Sequence, residues 1–208
     1  MDHKMHPTNP AHSATTSLAD DSYYSALCRY KFLEFLVIIN NDTIIHLSFS
    51  REVHHQALKT IRQFMAKAEL ARANNEIIHI KKLVHRMLGG GPEKPAPDFD
   101  HNPFLKNGTE FQQKIWRLIS LIKPGETITY GELATTAGSP GGARAVGRAC
   151  NQNPLALIIP CHRVVAANGP GGFAGELAIK LKLLEIEKNL RNPPGVQLSD
   201  IKCAIINF

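Results

Sequence analysis

The sequence has few cysteines and no long apolar run, and each shortage excludes a class of protein. Four cysteines are spread over 208 residues without a C-x-x-C pair, so neither a disulfide framework nor a cysteine-based zinc site is expected. This pattern is typical of a reducing, cytoplasmic setting. No stretch reaches about 18 uninterrupted apolar residues, and no apolar segment lies near the N-terminus. We therefore predict neither a transmembrane helix nor a signal peptide.

The overall composition allows one large domain or two small ones. Of the 208 residues, 43% are hydrophobic, which is enough for a real core. The net charge of +6 permits an anionic partner without identifying one. Residues 1–22 are rich in His, Ser, Thr and Asp without periodicity, and we predict a flexible tail there.

Residues 23–100 have the pattern of a small α/β domain. Two β-rich runs joined by Asn-Asn-Asp predict a hairpin, and two segments with apolar residues at helical spacing predict helices: 32–39, 43–49, 52–73 and 77–88. A Gly- and Pro-rich stretch over 89–103 follows. We place a domain boundary in that stretch, so that residues 101–208 form a second domain.

Two capping boxes predict helix starts in the second domain, at residues 109–112 and 129–132. After a Gly-Ser-Pro turn, a third helix over about 142–152 carries Arg144 and Arg148 on one face. A short helix, a tight turn and a helix with exposed arginines outline a helix-turn-helix. An ordinary helix pair with two solvated arginines fits the same pattern equally well.

A cysteine and a histidine stand side by side in Pro160-Cys161-His162-Arg163. The apolar run 155–159 predicts a buried strand that Pro160 ends, so Cys161 is expected where a core strand opens into a loop. A single cysteine is most often a buried hydrophobe. Here His162 and Arg163 are potentially cationic and would favour the nucleophilic thiolate, so we predict a reactive cysteine.

A glycine-rich loop and a last helix follow the cysteine. Five of the ten residues 166–175 are Gly or Pro, which suits a pocket wall that approaches a ligand closely. The loop lacks the Gly-Lys-Ser/Thr ending of a phosphate-binding P-loop. The helix spans about 175–190, and three leucines form its expected buried face: Leu177, Leu181 and Leu184. Residues 201–208 have the pattern of a short strand.

These motifs together resemble the O6-alkylguanine-DNA alkyltransferases, also called methylated-DNA–protein-cysteine methyltransferases. The resemblance covers residues 105–187, about two-fifths of the chain, and is strongest in Pro-Cys-His-Arg-Val-Val at 160–165. The other matching segments lie at 108–112, 125–130, 143–147, 153–154 and 172–175. The resemblance implies an α/β (α+β) fold, with a small N-terminal ribonuclease-H-like α/β domain before a mostly helical C-terminal domain that contains a helix-turn-helix.

The resemblance also implies a single-turnover DNA repair reaction that uses no metal and no organic cofactor. Cys161 would attack the alkyl carbon on O6 of guanine in double-stranded DNA and would keep the alkyl group. The resemblance leaves open whether O4-alkylthymine is a second substrate. His162 would deprotonate the thiol, Glu187 would orient His162, and Asn153 would belong to the same hydrogen-bond network. The implied pocket residues are Pro160, Val164, Phe173 and Ala174.

The target atom lies inside a duplex, so the damaged base has to be flipped out of the stack. In the family, the tyrosine that matches Tyr130 pushes the phosphate and protonates guanine N3, and the arginine that matches Arg144 fills the vacated stack. The helix-turn-helix would enter the minor groove and hold the DNA mainly through phosphates. The implied DNA-binding residues are Thr129, Tyr130, Ala143, Arg144, Gly147 and Arg148. We expect a monomer without a membrane partner.

The sequence departs from the family pattern around the expected pocket. Phe173 stands where relatives often have tyrosine, Glu176 where glycine is usual, Cys150 where a bulky apolar residue is common, and Lys188 where glycine is usual. Three other functions compete with repair. They are a non-catalytic lesion-sensing DNA-binding protein of the same fold, a helix-turn-helix transcription regulator, and a Cys-His hydrolase, for which no oxyanion hole is identifiable.

Overall fold

The computed structural model describes residues 23–40, 43–49, 51–64, 74–88, 95–188 and 196–205. The predicted tail over 1–22 lies outside the described residues, as do parts of the predicted linker and the end of the last predicted helix. Within the described parts, no helix combines the length and the apolar character that crossing a membrane requires.

The described elements form two units: a sheet unit within residues 23–88 and 196–205, and a helical unit within residues 95–188. In chain order the strands are β1 (Tyr23–Tyr30), β2 (Leu33–Asn40), β3 (Thr43–Ser48), β4 (Ile128–Thr129), β5 (Val164–Val165) and β6 (Lys202–Ile205). The α-helices are α1 (Arg51–Phe64), α2 (Asn74–Met87), α3 (Pro103–Lys106), α4 (Glu110–Ser120), α5 (Tyr130–Thr136), α6 (Ala143–Asn151) and α7 (Leu177–Lys188). The fold is a mixed α/β arrangement.

The sheet unit is a four-stranded antiparallel sheet in the order β3-β2-β1-β6. The predicted hairpin is present as β2 and β3. Residues 35–39 of strand β2 form an uninterrupted apolar run because both faces of the strand are covered there. Phe35, Val37 and Ile39 belong to the main core, whereas Ile38 faces a smaller cluster that includes Ala57 of α1.

The sheet contains two features that the sequence pattern did not predict. No strand was assigned to residues 23–30, yet β1 lies between β2 and β6. Strand β6 comes from the far side of the expected boundary near residue 100, so the sheet combines both parts of the chain. The scattered cysteines were not expected to form a disulfide framework, but one disulfide is present, because Cys28 and Cys203 lie opposite each other on β1 and β6 and are bonded. The two cysteines are 175 residues apart, so their pairing leaves no local signature in the sequence.

Two histidines are buried where α1 packs on the sheet. His46 of β3 and His54 of α1 are each 2% exposed, and their ring centroids lie 5.6 Å apart. The hydroxyl Oγ of Ser25 lies 2.9 Å from Nε2 of His54, and Phe104 packs against the other side of His46. Imidazoles in such an apolar setting are stable only in the neutral form.

Asn102 fastens the helical unit to the sheet at a buried point. Its Oδ1 accepts hydrogen bonds from the backbone N–H groups of Phe104 and Leu105, at 2.9 and 3.2 Å, and so caps α3. Its Nδ2 donates to the carbonyl oxygen of Ile45 on β3 at 3.0 Å. One side chain therefore satisfies backbone groups of both units.

We expect Asn102→Ala to lower the free energy of unfolding by about 2 kcal/mol, since it removes a helix cap and leaves a buried carbonyl without its donor. Denaturant titration followed by circular dichroism measures the loss. Asn107→Ala, at the exposed end of the same helix, is the matched control. Equal losses in the two variants would contradict the linking role of Asn102.

Helices α4 and α5 begin where the capping boxes predicted. The side chains of Thr109 and Thr129 each accept a hydrogen bond from the backbone N–H three residues later. In return, side-chain oxygens of Gln112 and Glu132 accept hydrogen bonds from the backbone N–H groups of Thr109 and Thr129. Helix α6 follows a tight turn in which Gly141 has a φ of 84°. Helix α6 packs on both α4 and α5, and Gly147 of α6 lies next to Tyr130 at the start of α5.

Residues 155–159 do not form the predicted buried strand. Leu157 has a left-handed φ of 70°, and the backbone N–H of Ile159 returns to the carbonyl oxygen of Leu155 at 2.8 Å. An apolar run is buried equally well in a turn, and hydrophobicity alone does not separate the two cases. The turn leads directly into a short 3₁₀ helix, Cys161–Arg163.

Helix α7 does not bury the predicted leucine face. Leu177 and Leu181 are 45% and 48% exposed, whereas Lys180 and Leu183 are buried. The helix is therefore rotated relative to the prediction, and a lysine points into the interior. This is stable because the ammonium group finds hydrogen-bond acceptors there, as described below.

Candidate active site

Cys161 is a free thiol at the start of the buried 3₁₀ turn, and it is 5% exposed. Burial raises the pKa of this thiol. A hydrogen bond with the Asn153 side chain, the charge of Lys180 and the backbone N–H groups of Cys161 and His162 oppose that rise. The resting group is the neutral thiol, so reaction as a nucleophile requires a base that removes its proton.

His162, the residue next to Cys161, is held by Glu187. Its Nε2 lies 3.0 Å from Oε1 of Glu187. Burial by itself would raise the pKa of Glu187, but hydrogen bonds and charges from His162 and Arg163 lower it to about 2. An ionised carboxylate only accepts, so Nε2 carries the hydrogen and Nδ1 keeps its lone pair. Nδ1 is buried and has no hydrogen-bond partner among the described residues.

The charge of His162 follows from the same surroundings. Burial lowers the pKa of His162, and the hydrogen bond and charge of Glu187 oppose this effect without reversing it. The imidazole is therefore neutral at physiological pH, which is the form that accepts a proton. Glu187 fixes the ring with Nδ1 available.

Arg163 holds the carboxylate of Glu187 in place. Its Nε donates to Oε2 at 2.9 Å, its Nη2 donates to Oε1 at 2.6 Å, and its Nη1 donates to the carbonyl oxygen of Ile122 at 2.5 Å. The backbone N–H of Gly125 adds a hydrogen bond to Oε2 at 3.2 Å. Arg163 was expected to favour the thiolate, but its charge is neutralised by Glu187. Its observed contacts are with the group that orients His162.

Asn153 shapes the turn beneath the cysteine. Its Nδ2 donates to the carbonyl oxygen of Ile159 at 2.7 Å, and its Oδ1 accepts from the backbone N–H of Leu155 at 3.0 Å. It is 6% exposed, so these hydrogen bonds are shielded from water. The residue thus stabilises the tight turn over 155–159, and its side chain lowers the pKa of the Cys161 thiol against the effect of burial.

The cation near the Cys161 thiol is Lys180, whereas the sequence predicted Arg163 for that role. It is completely buried, and its Nζ donates to the carbonyl oxygens of Val164 and Gly172 at 2.7 and 3.0 Å. Nζ also lies 5.6 Å from the ring centroid of Tyr130, whose hydroxyl donates to the same Gly172 carbonyl at 3.2 Å. Burial lowers the pKa of Lys180, and the neighbouring thiols Cys161 and Cys150 oppose the shift.

Tyr130 lies at the border between the buried thiol and the surface helices. It is half-buried as the first residue of α5, and Gly147 of α6 approaches its ring closely enough that a Cβ there would lie 4.0 Å away. Burial, and then the nearby Cys150 and Cys161, raise the pKa of its hydroxyl to about 12. The hydroxyl therefore stays protonated and remains a donor.

The predicted DNA-binding residues lie on α5 and α6 and at their ends. Thr129 is the N-cap of α5, and Ala143 is the first residue of α6. Arg144 and Arg148 are exposed on α6, and the small residues Ala143 and Gly147 are partly exposed beside them. This surface of α6 is compact and positively charged.

A narrow cavity of about 20 Å³ lies beside Cys161. Of the predicted pocket residues, Phe173 and Ala174 line it, as does the second buried thiol, Cys150. Val164 is completely buried and does not line this cavity, and Pro160 lines a separate, larger groove of about 300 Å³. Within the described chain, no group of three or more His, Cys, Asp or Glu side chains is placed to hold a metal ion.

Two residues of this arrangement were not predicted to take part in it. Lys180 was given no role from the sequence, and its burial is recognisable only once the rotation of α7 is known. Phe49 belongs to the sheet unit, in which no functional cluster was predicted, yet it also lines the cavity. No local signal in the sequence connects Phe49 to a cysteine more than a hundred residues later.

Comparison with known proteins gives a consistent family assignment. A sequence model described as 6-O-methylguanine DNA methyltransferase, DNA binding domain, matches residues 110–189. The methylated-DNA–protein-cysteine methyltransferase of Mycobacterium leprae is 54% identical over 83 residues, which are 39% of this chain and 50% of that protein. The protein of the same name from Metallosphaera sedula is 41% identical over 124 residues, which are 60% of this chain and 76% of that protein.

A solved structure extends the likeness to the sheet unit. The crystal structure of the Mycobacterium tuberculosis O6-methylguanine methyltransferase matches with a TM-score of 0.55 and 26% identity, and the match covers 84% of this chain and 98% of that one. By sequence, the chain spans about half the length of several curated relatives it matches, between 50% and 56%.

Proposed function

Because the chain belongs to the family of methylated-DNA–protein-cysteine methyltransferases, we propose that it repairs DNA by taking the alkyl group of O6-alkylguanine onto Cys161. The observation that carries the proposal is the buried Cys161 thiol, next to a neutral histidine whose Nε2 is fixed by ionised Glu187. Such a cysteine is an unreactive thiol at rest, and His162 is the base that removes its proton.

In the proposed step, the Cys161 sulfur bonds to the alkyl carbon while the bond from that carbon to guanine O6 breaks. The electron pair of the broken bond stays with the base, which takes up one proton and becomes ordinary guanine. The thiol proton passes to Nδ1 of His162, either directly or through a water molecule. A thiol and an O6-alkylguanine thus give a thioether and guanine, so the atoms balance without a metal or a cofactor.

Two groups assist the departure of guanine in this proposal. The Tyr130 hydroxyl remains protonated and is available to donate a proton to guanine N3 once the base is in the site. The Lys180 charge next to the thiol favours the thiolate as it forms. Because the product is a stable thioether, each molecule acts once.

The proposed DNA partner is bound by a helix-turn-helix made of α5, the turn at Gly141 and α6. The exposed Arg144 and Arg148 would face the DNA, and Arg144 would fill the space that the flipped base leaves. The small residues Ala143 and Gly147 would allow α6 to approach the minor groove closely. The sheet unit is proposed to be ribonuclease-H-like, and the protein is proposed to act as a monomer.

In the decisive experiment, the full chain is incubated with duplex DNA that carries O6-methylguanine with a labelled methyl group. We expect one methyl group per protein, located by peptide mass on the peptide that contains Cys161 and absent in Cys161→Ala. Cys150→Ala, which removes the neighbouring buried thiol, is the matched control and should still become labelled. Tight binding of the lesion without any label on Cys161 would instead indicate a lesion-sensing protein.

We expect Arg148→Gln to weaken DNA binding equally for damaged and undamaged duplexes, because a phosphate contact carries no sequence information. The slope of log affinity against log salt should fall by about 0.9, the value for one lost contact. Fluorescence anisotropy over a salt series measures both quantities. Lys59→Gln, which removes an exposed cation of α1, is the control. If affinity and salt slope changed equally in the two variants, α6 would not be part of the proposed interface.

A further inference from the structure

The cavity beside Cys161 is bounded by both units of the protein. The sheet unit contributes Leu47, Ser48 and Phe49, and the glycine-rich loop contributes Phe173, Ala174 and Gly175 from the opposite side. The sheet unit is therefore part of the wall around the candidate nucleophile.

The sheet side of this wall is fastened to the segment that carries the cysteine. Strand β3 is the edge strand of its sheet. The backbone N–H of Leu47 donates to the carbonyl oxygen of Pro154 at 2.8 Å, and the backbone N–H of Ala156 donates to the carbonyl oxygen of Leu47 at 3.2 Å. These hydrogen bonds fix the position of β3 relative to the turn beneath Cys161.

Two aromatic rings close the cavity. Phe49 directly follows β3, and its ring centroid lies 5.7 Å from that of Phe173. Phe35, which is 1% exposed, supports Phe49 from behind in an edge-to-face contact at 6.3 Å. The loop backbone is equally close, since a Cβ on Gly175 would lie 3.0 Å from Cβ of Phe49. Phe49 thus rests on the core through Phe35, whereas Phe173, which also packs against the core, belongs to the partly exposed glycine-rich loop.

The closed cavity is too small for the proposed substrate. Its volume of about 20 Å³ has room for one or two water molecules, each of which needs about 10–15 Å³ by the same measure. A purine base with an O6-alkyl group is several times larger. Entry of the base therefore requires the two rings to separate.

We propose that Phe49 and Phe173 form a gate over Cys161, and that Phe49 limits the size of the alkyl group that the site accepts. This inference rests on the proposed function and adds a specificity-determining residue from the sheet unit. The gate excludes bulky electrophiles from the thiol while no base is bound. When it opens, the loop at Phe173 moves and the Phe49 side remains fixed.

The gate itself is tested without DNA. Iodoacetamide and the bulkier N-ethylmaleimide are reacted with the wild type, Phe49→Ala and the matched control Phe32→Ala, whose ring is 40% exposed in a turn of the sheet unit. Modification of the peptide that contains Cys161 is followed by mass. We expect Phe49→Ala to react about tenfold faster than the other two, with the larger gain for N-ethylmaleimide. Equal rates in all three proteins would overturn the gate.

The size limit is tested with duplexes that carry O6-methylguanine or O6-benzylguanine. We expect the rate ratio of benzyl to methyl transfer to rise about tenfold in Phe49→Ala and to fall in Phe49→Trp. An unchanged ratio, or an equal loss for both substrates, would overturn the role of Phe49. If no protein in the series transferred either group while the thiol-reagent rates still differed, the proposed function would fail and the gate would stand.

Discussion

Replacing Glu187 by glutamine is expected to slow alkyl transfer to Cys161 by about 100-fold to 10,000-fold, the range that a positioned general base usually contributes. The carboxylate fixes the Nε2 hydrogen of His162, so that Nδ1 is left to accept the thiol proton. A glutamine amide accepts only through its oxygen and no longer offsets the charge of Arg163. His162 then loses both its fixed tautomer and its orientation.

The same substitution should lower the free energy of unfolding by about 3–5 kcal/mol, because the charge of buried Arg163 loses its partner. Single-turnover transfer rates and denaturant titration measure the two effects separately. Glu185→Gln is the matched control, since this exposed carboxylate lies two residues earlier on α7 and pairs with Lys182. A variant that was destabilised but transferred the methyl group at the wild-type rate would limit Glu187 to a structural role.

Acidification is expected to destabilise the sheet unit well before the carboxylate of Glu187 titrates. Burial, and then the charge of His54, lower the pKa of His46 to about 3, and burial, and then His55, lower the pKa of His54 to about 4. In the unfolded chain both groups titrate near 6.5. The unfolded state therefore binds protons first, and stability that is complete above pH 6.5 is lost as the pH falls.

The expected loss between pH 8 and pH 5 is about 2 kcal/mol for each histidine, or about 4 kcal/mol for both. Denaturant titration at a series of pH values measures it. His46→Leu should remove about half of the pH dependence, whereas His101→Gln, at an exposed imidazole, should leave it unchanged. A wild-type stability that stayed constant from pH 8 to pH 5 would show that the two histidines are not buried in solution as they are here.

Features with a local cause were predicted from the sequence. The starts of α4 and α5 follow from capping boxes, which act between residues three apart. The hairpin of β2 and β3 follows from a turn between two apolar runs. Cys161, His162 and Asn153 lie close together mainly because the chain turns within residues 153–162. Their proximity could therefore be predicted from this short segment of sequence.

Features that depend on distant partners were not predicted. The run 155–159 was taken as a strand because its hydrophobicity does not reveal the left-handed Leu157. The buried face of α7 was misplaced because Lys180 is favourable inside only where the carbonyls of Val164 and Gly172 converge. Strand β1 was missed for a different reason: it pairs with neighbouring β2, but the turn at residues 31–32 that joins them has none of the Asn, Asp or Gly residues that usually mark a hairpin.

The position of β6 sets the order in which the sheet is completed during synthesis. Strands β1, β2 and β3 leave the ribosome early and can pair, but one edge of β1 stays open until residues 202–205 emerge. Until then the Cys28 thiol lacks its partner, and the open edge is able to pair with other chains. The helical unit with Cys161 is therefore made, and free to fold, before the sheet that helps to close its cavity is complete.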